Sequence, residues 1–129
     1  MKIDENLRYT KTHEWVRVEG KQAVCGITDY AQEQLTDIVY VELPEEGDQV
    51  VREHEIGVVE SCKTAADLYA PVTGKVTAVN EKLANNPEWV NEDPYGNGWM
   101  MKIEMANPPE VDALMDSKAY EAHIASEQE

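Results

Sequence analysis

Alternation of hydrophobic and polar positions over the first two-thirds of the chain predicts a series of short β-strands. Val39, Val41 and Leu43 alternate with more polar residues, a pattern typical of a strand with one buried face. Glu19-Gly20-Lys21 separates two such segments and indicates a hairpin turn. By the same reasoning, strands are predicted over residues 14–18, 22–27, 37–43, 55–60, 65–70, 76–79 and 99–105.

A helical pattern interrupts this series after the first hairpin. Thr28 is a suitable N-cap for a short helix that ends near Leu35 and turns Ala31 and Leu35 inward. Residues 80–98 are rich in Asn, Pro and Gly, which predicts a loop with at most single helical turns. The middle of the chain is therefore expected to add little regular structure to the β body.

The pattern becomes helical near the C-terminus. It changes at Pro108, and Ser117 is predicted as the N-cap of a helix over residues 119–126. A length of 129 residues fits one domain with one modest core. We expect a single domain over residues 1–129, with a β core over about 7–105 and an acidic helical segment over about 108–127.

The charge of the chain excludes some classes of partner. With 26 acidic and 11 basic residues, the formal net charge is −15. Binding to nucleic acid or to an anionic membrane surface is not expected, because both need clustered Lys and Arg. A charge of this size favours a soluble monomer and speeds encounters with basic surfaces.

Other features of the sequence bear on the compartment. No apolar run is long enough to cross a membrane, and the first residues lack the apolar region of a signal peptide. Cys25 and Cys62 show no metal-type spacing, so free thiols in a reducing cytoplasm are expected, with one disulfide left open.

Motifs for catalysis are lacking. There is no GxSxG, and Gly96-Asn97-Gly98 lacks the third glycine of a dinucleotide loop. The histidines, His13, His54 and His123, are scattered and without a paired motif, which argues against a metal site. A hydrolase with Cys62 as its nucleophile remains a rival hypothesis, but the chain is not predicted to be an enzyme.

Lys63 lies in the short polar connection Ser61-Cys62-Lys63-Thr64 between two predicted strands. A tight hairpin would hold this lysine at the tip of a rigid sheet, a geometry that suits a covalently attached swinging arm. Spacing alone, however, describes an ordinary solvent-exposed turn lysine.

The residues around Lys63 resemble the lipoylation hairpin of glycine cleavage system H proteins. The resemblance starts with Glu60-Ser61-Cys62-Lys63-Thr64-Ala65-Ala66-Asp67 and continues to Gly74. Further blocks match in order from about Leu7 to Glu121, among them His13-Glu14-Trp15-Val16, Val41-Glu42-Leu43-Pro44, Pro94-Tyr95-Gly96 and Gly98-Trp99-Met100. Two positions depart from the family pattern: Cys62 replaces a usual aliphatic residue, and Thr36 precedes Asp37 where glycine is usual.

The resemblance implies a fold and a set of site residues. The fold would be mainly β, a barrel-sandwich hybrid of two small antiparallel sheets with short added helices. Lys63 would carry covalent lipoic acid, as N6-lipoyl-lysine, and Glu60 would be recognised by the lipoyl-attaching enzyme. Glu14, Asp67 and Thr12 are the candidates for a cleft that shelters the loaded arm.

The resemblance also implies a function and partners. Members of the family are non-catalytic carriers that receive the aminomethyl group of glycine from a pyridoxal-phosphate decarboxylase, the P protein. They deliver it to a tetrahydrofolate-dependent aminomethyltransferase, the T protein, and are reoxidised by dihydrolipoyl dehydrogenase, the L protein. Two related hypotheses remain open: an H-like lipoyl relay, and a biotin carrier, which would need Met beside the lysine, where this chain has Cys62 and Thr64.

Overall fold

The computed structural model describes residues 1–128 and places nine strands in two sheets within them. All strand pairs are antiparallel, and the sheet orders are β1-β2-β3-β9-β8-β5 and β4-β6-β7. The strands are β1 Arg8–Tyr9, β2 Glu14–Glu19, β3 Gln22–Ile27, β4 Ile38–Glu42, β5 Gln49–Val50, β6 Glu55–Ser61, β7 Ala65–Tyr69, β8 Gly74–Val79 and β9 Met101–Met105. The mainly β fold with two antiparallel sheets is confirmed.

Short helices complete the structure. They are α1 Asp29–Leu35, α2 Trp89–Glu92 and α3 Ser117–Glu127, with 3₁₀ turns at Glu81–Ala84 and Pro108–Ala113. The Thr28 hydroxyl accepts a hydrogen bond from the Ala31 N–H, which confirms Thr28 as the N-cap of α1. No helix in residues 1–128 is both long enough and apolar enough to span a membrane.

Two details of the predicted elements are wrong. Val39 is 54% exposed although it was expected inside, because a register shift between Ile38 and Tyr40 puts Ile38 in the core instead. The N-cap of α3 is Asp116 rather than Ser117, since the Asp116 carboxylate accepts the Ala119 N–H at 2.9 Å. The two-residue strands β1 and β5 are too short to produce a periodic pattern and were not predicted.

The main hydrophobic core draws side chains from both sheets. Val16 and Ile103 from the larger sheet and Val59 and Leu68 from the smaller one belong to one cluster of buried residues. Burial of this kind contributes about 1.5–3 kcal/mol per large aliphatic side chain. The core therefore fixes the hairpin of β6 and β7 against the larger sheet.

A second cluster attaches helix α3 to the β body. Tyr120 and Ile124 of α3 are buried together with Tyr9 and Trp15. The rings of Tyr9 and Tyr120 stack with their centroids 4.4 Å apart. The C-terminal helix is consequently part of the packed structure, close to the start of β2.

Candidate functional site

Lys63 lies in the turn that joins β6 to β7. The two strands pair up to Glu60 and Ala65, so residues 61–64 form the tip of the hairpin. Lys63 is exposed, and none of the ion pairs found within residues 1–128 involves it. The predicted placement of this lysine at a hairpin tip is therefore what the structure has.

Ser61 organises the turn around Lys63. Its hydroxyl accepts hydrogen bonds from the backbone N–H groups of Lys63 at 3.3 Å and Thr64 at 3.1 Å, and it donates to the Thr64 carbonyl at 3.1 Å. The Cys62 N–H donates to the carbonyl of Asp37, which ties the tip to the residue before β4. Sequence reasoning missed Ser61, although serine in a turn commonly bonds its own backbone.

Glu60 lies on the outer face of the smaller sheet. Its neighbours Val59 and Ser61 are buried, and alternation along the strand turns Glu60 the other way. Tyr40 of β4 is its cross-strand partner and is 49% exposed. Glu60, Tyr40 and Lys63 thus lie at the same end of the smaller sheet.

A cleft of about 430 Å³ lies between β1, β2, the end of β7 and the segment before α3. Thr12, Glu14 and Tyr69 are among the residues that line it. The remaining lining residues are Tyr9, Thr10, Lys11, Arg52, Glu53, Ala70, Pro71, Ala113, Leu114 and Met115. The resemblance predicted a cleft with Glu14, Asp67 and Thr12, and the structure brings Glu14 and Thr12 together in this one.

Glu14 is only 2% exposed although it is an acid. Its carboxylate accepts hydrogen bonds from the hydroxyls of Thr10, at 2.6 Å, and Thr12, and from the Tyr69 N–H at 3.3 Å. Burial raises the pKa of Glu14 to about 7, and the hydrogen bonds oppose that rise. Glu14 is therefore a carboxyl group that can exchange its proton near neutral pH.

Thr10 was not expected among the site residues. Its hydroxyl donates to the Glu14 carboxylate and also accepts the Glu14 N–H at 2.9 Å, so it holds both ends of that residue. In the sequence, the only indication of this contact is that Thr10 precedes Glu14 by four residues. Outside a helix, that spacing is weak evidence that two side chains meet.

Asp67 does not line the cleft. It is exposed on β7, two residues from Tyr69 and therefore on the same face of the strand. Its charge is the largest cause of a raised pKa for the Tyr69 phenol, so the two side chains are close. Along β7, Asp67 consequently lies between the Lys63 turn and the cleft.

The geometry does not favour a cysteine hydrolase. Cys62 is a free, exposed thiol at the hairpin tip, whereas Cys25 is free and buried. The ring nitrogens of His13 and His123 bond to the Tyr120 hydroxyl and the Lys11 carbonyl. These two histidines are thus engaged elsewhere.

Comparison with known proteins gives one family over nearly the whole chain. The family model described as glycine cleavage H-protein matches residues 7–127. A glycine cleavage system H protein from Anaeromyxobacter sp. (strain K) is 54% identical over 128 residues, covering 99% of this chain and 100% of the relative. One from Symbiobacterium thermophilum is 52% identical over 120 residues, covering 93% and 94%.

A solved structure agrees with the sequence comparisons. The crystal structure of a glycine cleavage system H protein from Mycobacterium marinum matches with a TM-score of 0.88 and 34% identity, and the match covers 95% of this chain and 99% of that one. Fold, full-length matches and the exposed hairpin lysine lead to the same assignment. The chain belongs to the glycine cleavage H-protein family and is a carrier component of the glycine cleavage system, not itself a catalyst.

Proposed function

We propose that Lys63 is the residue through which this carrier is lipoylated, by an amide bond between its Nζ atom and the carboxyl group of lipoic acid. The observation that supports this is the exposed position of Lys63 at the tip of a hairpin whose backbone is fixed by Ser61. The exposed Nζ can enter the active site of a lipoyl-attaching enzyme without the loss of an ion pair. When attached, the lipoyl group would supply a redox-active disulfide for transfer of the cargo.

Glu60 is proposed as the acid that the lipoyl-attaching enzyme recognises. It lies three residues before Lys63 on the outer face of β6, where an enzyme that covers the hairpin would meet it. A rigid strand fixes the distance between this charge and the lysine, so the pair can be read as a unit. Glu60→Gln should lower the rate of lipoylation, and an unchanged rate would remove Glu60 from this role.

Glu14 and Thr12 are proposed to receive a primary amine carried into the cleft. Glu14 would bind an ammonium group as a carboxylate, with the Thr10 and Thr12 hydroxyls already directed at its oxygen. The buried surroundings exclude water and strengthen that contact. Asp67, exposed beside Tyr69, would attract the amine along β7 rather than hold it, because it lies outside the cleft lining.

The proposed partners are those of the glycine cleavage system. The P protein would load the aminomethyl group, the T protein would remove it, and the L protein would reoxidise the carrier. A net charge of −15 supports short-lived complexes with basic surfaces on these enzymes, since such attraction speeds encounter more than it slows release. We further propose that the carrier is a monomer in a reducing cytoplasm, and the two free thiols support that compartment.

The test is lipoylation in vitro followed by intact-mass measurement and a peptide map. The wild-type chain should gain one lipoyl group on the peptide that contains Lys63, and Lys63→Arg should gain none. Lys75→Arg is the matched control, because Lys75 is also exposed but lies within a strand. A lipoyl group on another lysine, or a biotin group on Lys63, would contradict the proposal.

A second measurement separates glycine cleavage from a lipoyl relay. The lipoylated chain is combined with the P, T and L proteins, and release of carbon dioxide from glycine is followed. Turnover that depends on Lys63 supports the carrier role. Transfer of the lipoyl group to other proteins without such turnover would support the relay.

A further inference from the structure

His13, His123 and Glu127 converge where helix α3 passes the start of β2. The His13 Nε2 atom lies 2.8 Å and the His123 Nε2 atom 3.7 Å from the same oxygen of Glu127. One ligand atom from each of the three side chains fits within 4.8 Å. Sequence spacing gives no sign of this cluster, because the two histidines are far apart in the chain and only the docking of α3 brings them together.

The surroundings of His13 resemble those of a metal-bound histidine. Its Nδ1 atom is 2.8 Å from the Tyr120 hydroxyl, which is 2.6 Å from the hydroxyl of Thr28. With the proton on Nδ1, His13 donates to Tyr120, and Tyr120 in turn donates to Thr28. In that tautomer the Nε2 atom carries no proton and can bind an ion placed between it and Glu127, and a second hydrogen bond that orients the ring is usual for such ligands.

A proton shared with Glu127 is the competing occupant of this position. The 2.8 Å contact between the His13 Nε2 atom and the Glu127 carboxylate requires a proton between them when no ion is bound. His123 has its own competitor, since its Nε2 atom donates to the Lys11 carbonyl at 3.0 Å. A divalent ion must therefore replace the proton shared by His13 and Glu127 and the hydrogen bond from His123 to the Lys11 carbonyl.

From this geometry we infer that His13, His123 and Glu127 form a divalent transition-metal site for which zinc is the best-suited ion. Two imidazole nitrogens and one carboxylate oxygen form a typical three-residue set for tetrahedral zinc, with water as the fourth ligand. The site joins residue 13 of the β body to the last turn of α3, so an ion bound there stabilises the docked helix.

The test uses the full chain without an affinity tag, titrated with zinc or cobalt(II) in the presence of excess magnesium. Magnesium occupies exposed carboxylates, which such an acidic chain has in abundance. One zinc ion per chain is expected, as well as the visible absorption bands of tetrahedral cobalt. His123→Gln and Glu127→Gln should each weaken zinc binding by roughly tenfold or more, since even the loss of an outer hydrogen-bond partner costs that much.

The matched control for His123→Gln is His54→Gln, and that for Glu127→Gln is Glu121→Gln. Each control replaces the same type of residue at an exposed position away from the cluster. Both should bind zinc as the wild type does. The inference is overturned if zinc does not bind above the magnesium background, if His123→Gln binds equally well, or if His54→Gln is weakened as much. His123 is only partly buried and Glu127 is exposed, so their variants should fold even if a variant of His13 does not.

Discussion

Replacement of Glu14 by Gln should remove a specific part of the pH dependence of stability. Glu14 is almost completely buried, and its pKa in the folded protein is about 7 against an ordinary value of 4.5. The folded protein therefore holds this proton more tightly than the unfolded chain does. The stability that protonated Glu14 contributes is fully present below pH 4.5 and is lost as the pH rises through about 7.

The size of the effect follows from the two pKa values. A pKa difference of ~2.5, at about 1.4 kcal/mol for each pH unit, amounts to about 3 kcal/mol. Solvent screening reduces this little, because Glu14 is only 2% exposed. Gln keeps the shape of a protonated Glu but does not titrate, so this part of the pH dependence should disappear in the variant.

The assay is urea unfolding of the wild type and Glu14→Gln at several pH values between about 4.5 and 8. The free energy of unfolding of the wild type, relative to the variant, should fall by about 3 kcal/mol over that interval. Altered hydrogen bonds to Thr10, Thr12 and Tyr69 give a constant offset that does not affect the trend. A difference between the two proteins that stays constant with pH would refute the reasoning that burial raises the pKa of Glu14.

Three further predictions concern the hairpin and the charge of the chain. Ser61→Ala should lower the free energy of unfolding, measured in urea, by about 1–2 kcal/mol and slow the lipoylation of Lys63, because the turn loses its side-chain hydrogen bonds. Equal lipoylation rates for the wild type and the variant would show that the turn does not need these hydrogen bonds. Tyr40→Ser should slow lipoylation with little change in melting temperature, since Tyr40 is half-exposed opposite Glu60 and an enzyme that reaches the unmodified Lys63 must cover this surface. A wild-type rate of lipoylation in a kinetic assay would contradict this prediction. Turnover with the P, T and L proteins should fall as salt rises, because the net charge of −15 acts over a Debye length of about 10 Å at 0.1 M salt; turnover independent of salt would rule out steering.

Periodicity was sufficient for the elements that bury one face. The strands on either side of Gly20, the helix after Thr28 and the two arms of the Lys63 hairpin all follow from alternation, caps and turn residues. The register of β4 did not follow, because the shift at Ile38 depends on its pairing with β6. A period of two describes which residues share a face but does not reveal a bulge.

In the candidate site, too, the sequence predicts some features, whereas others depend on the fold. The sequence placed Lys63 at a hairpin tip, whereas a function for that lysine came only from its resemblance to a family. The roles of Thr10 and Ser61 were not predicted, because each residue acts through a hydrogen bond whose partner depends on the local backbone. The contact of His13 with α3 escaped notice for another reason: it depends on how the C-terminal helix docks, which no local pattern encodes.

Burial separates the two acids that resemblance placed together in the arm cleft. Asp67 is exposed, and a contact between it and an ammonium group would be worth about 1 kcal/mol or less. Glu14 is buried and, with its raised pKa, is partly protonated at neutral pH, so an ammonium group that bound there would displace the proton from the protonated fraction. An amine bound in the cleft would therefore be held more tightly as the pH rises through about 7, until the amine itself loses its charge.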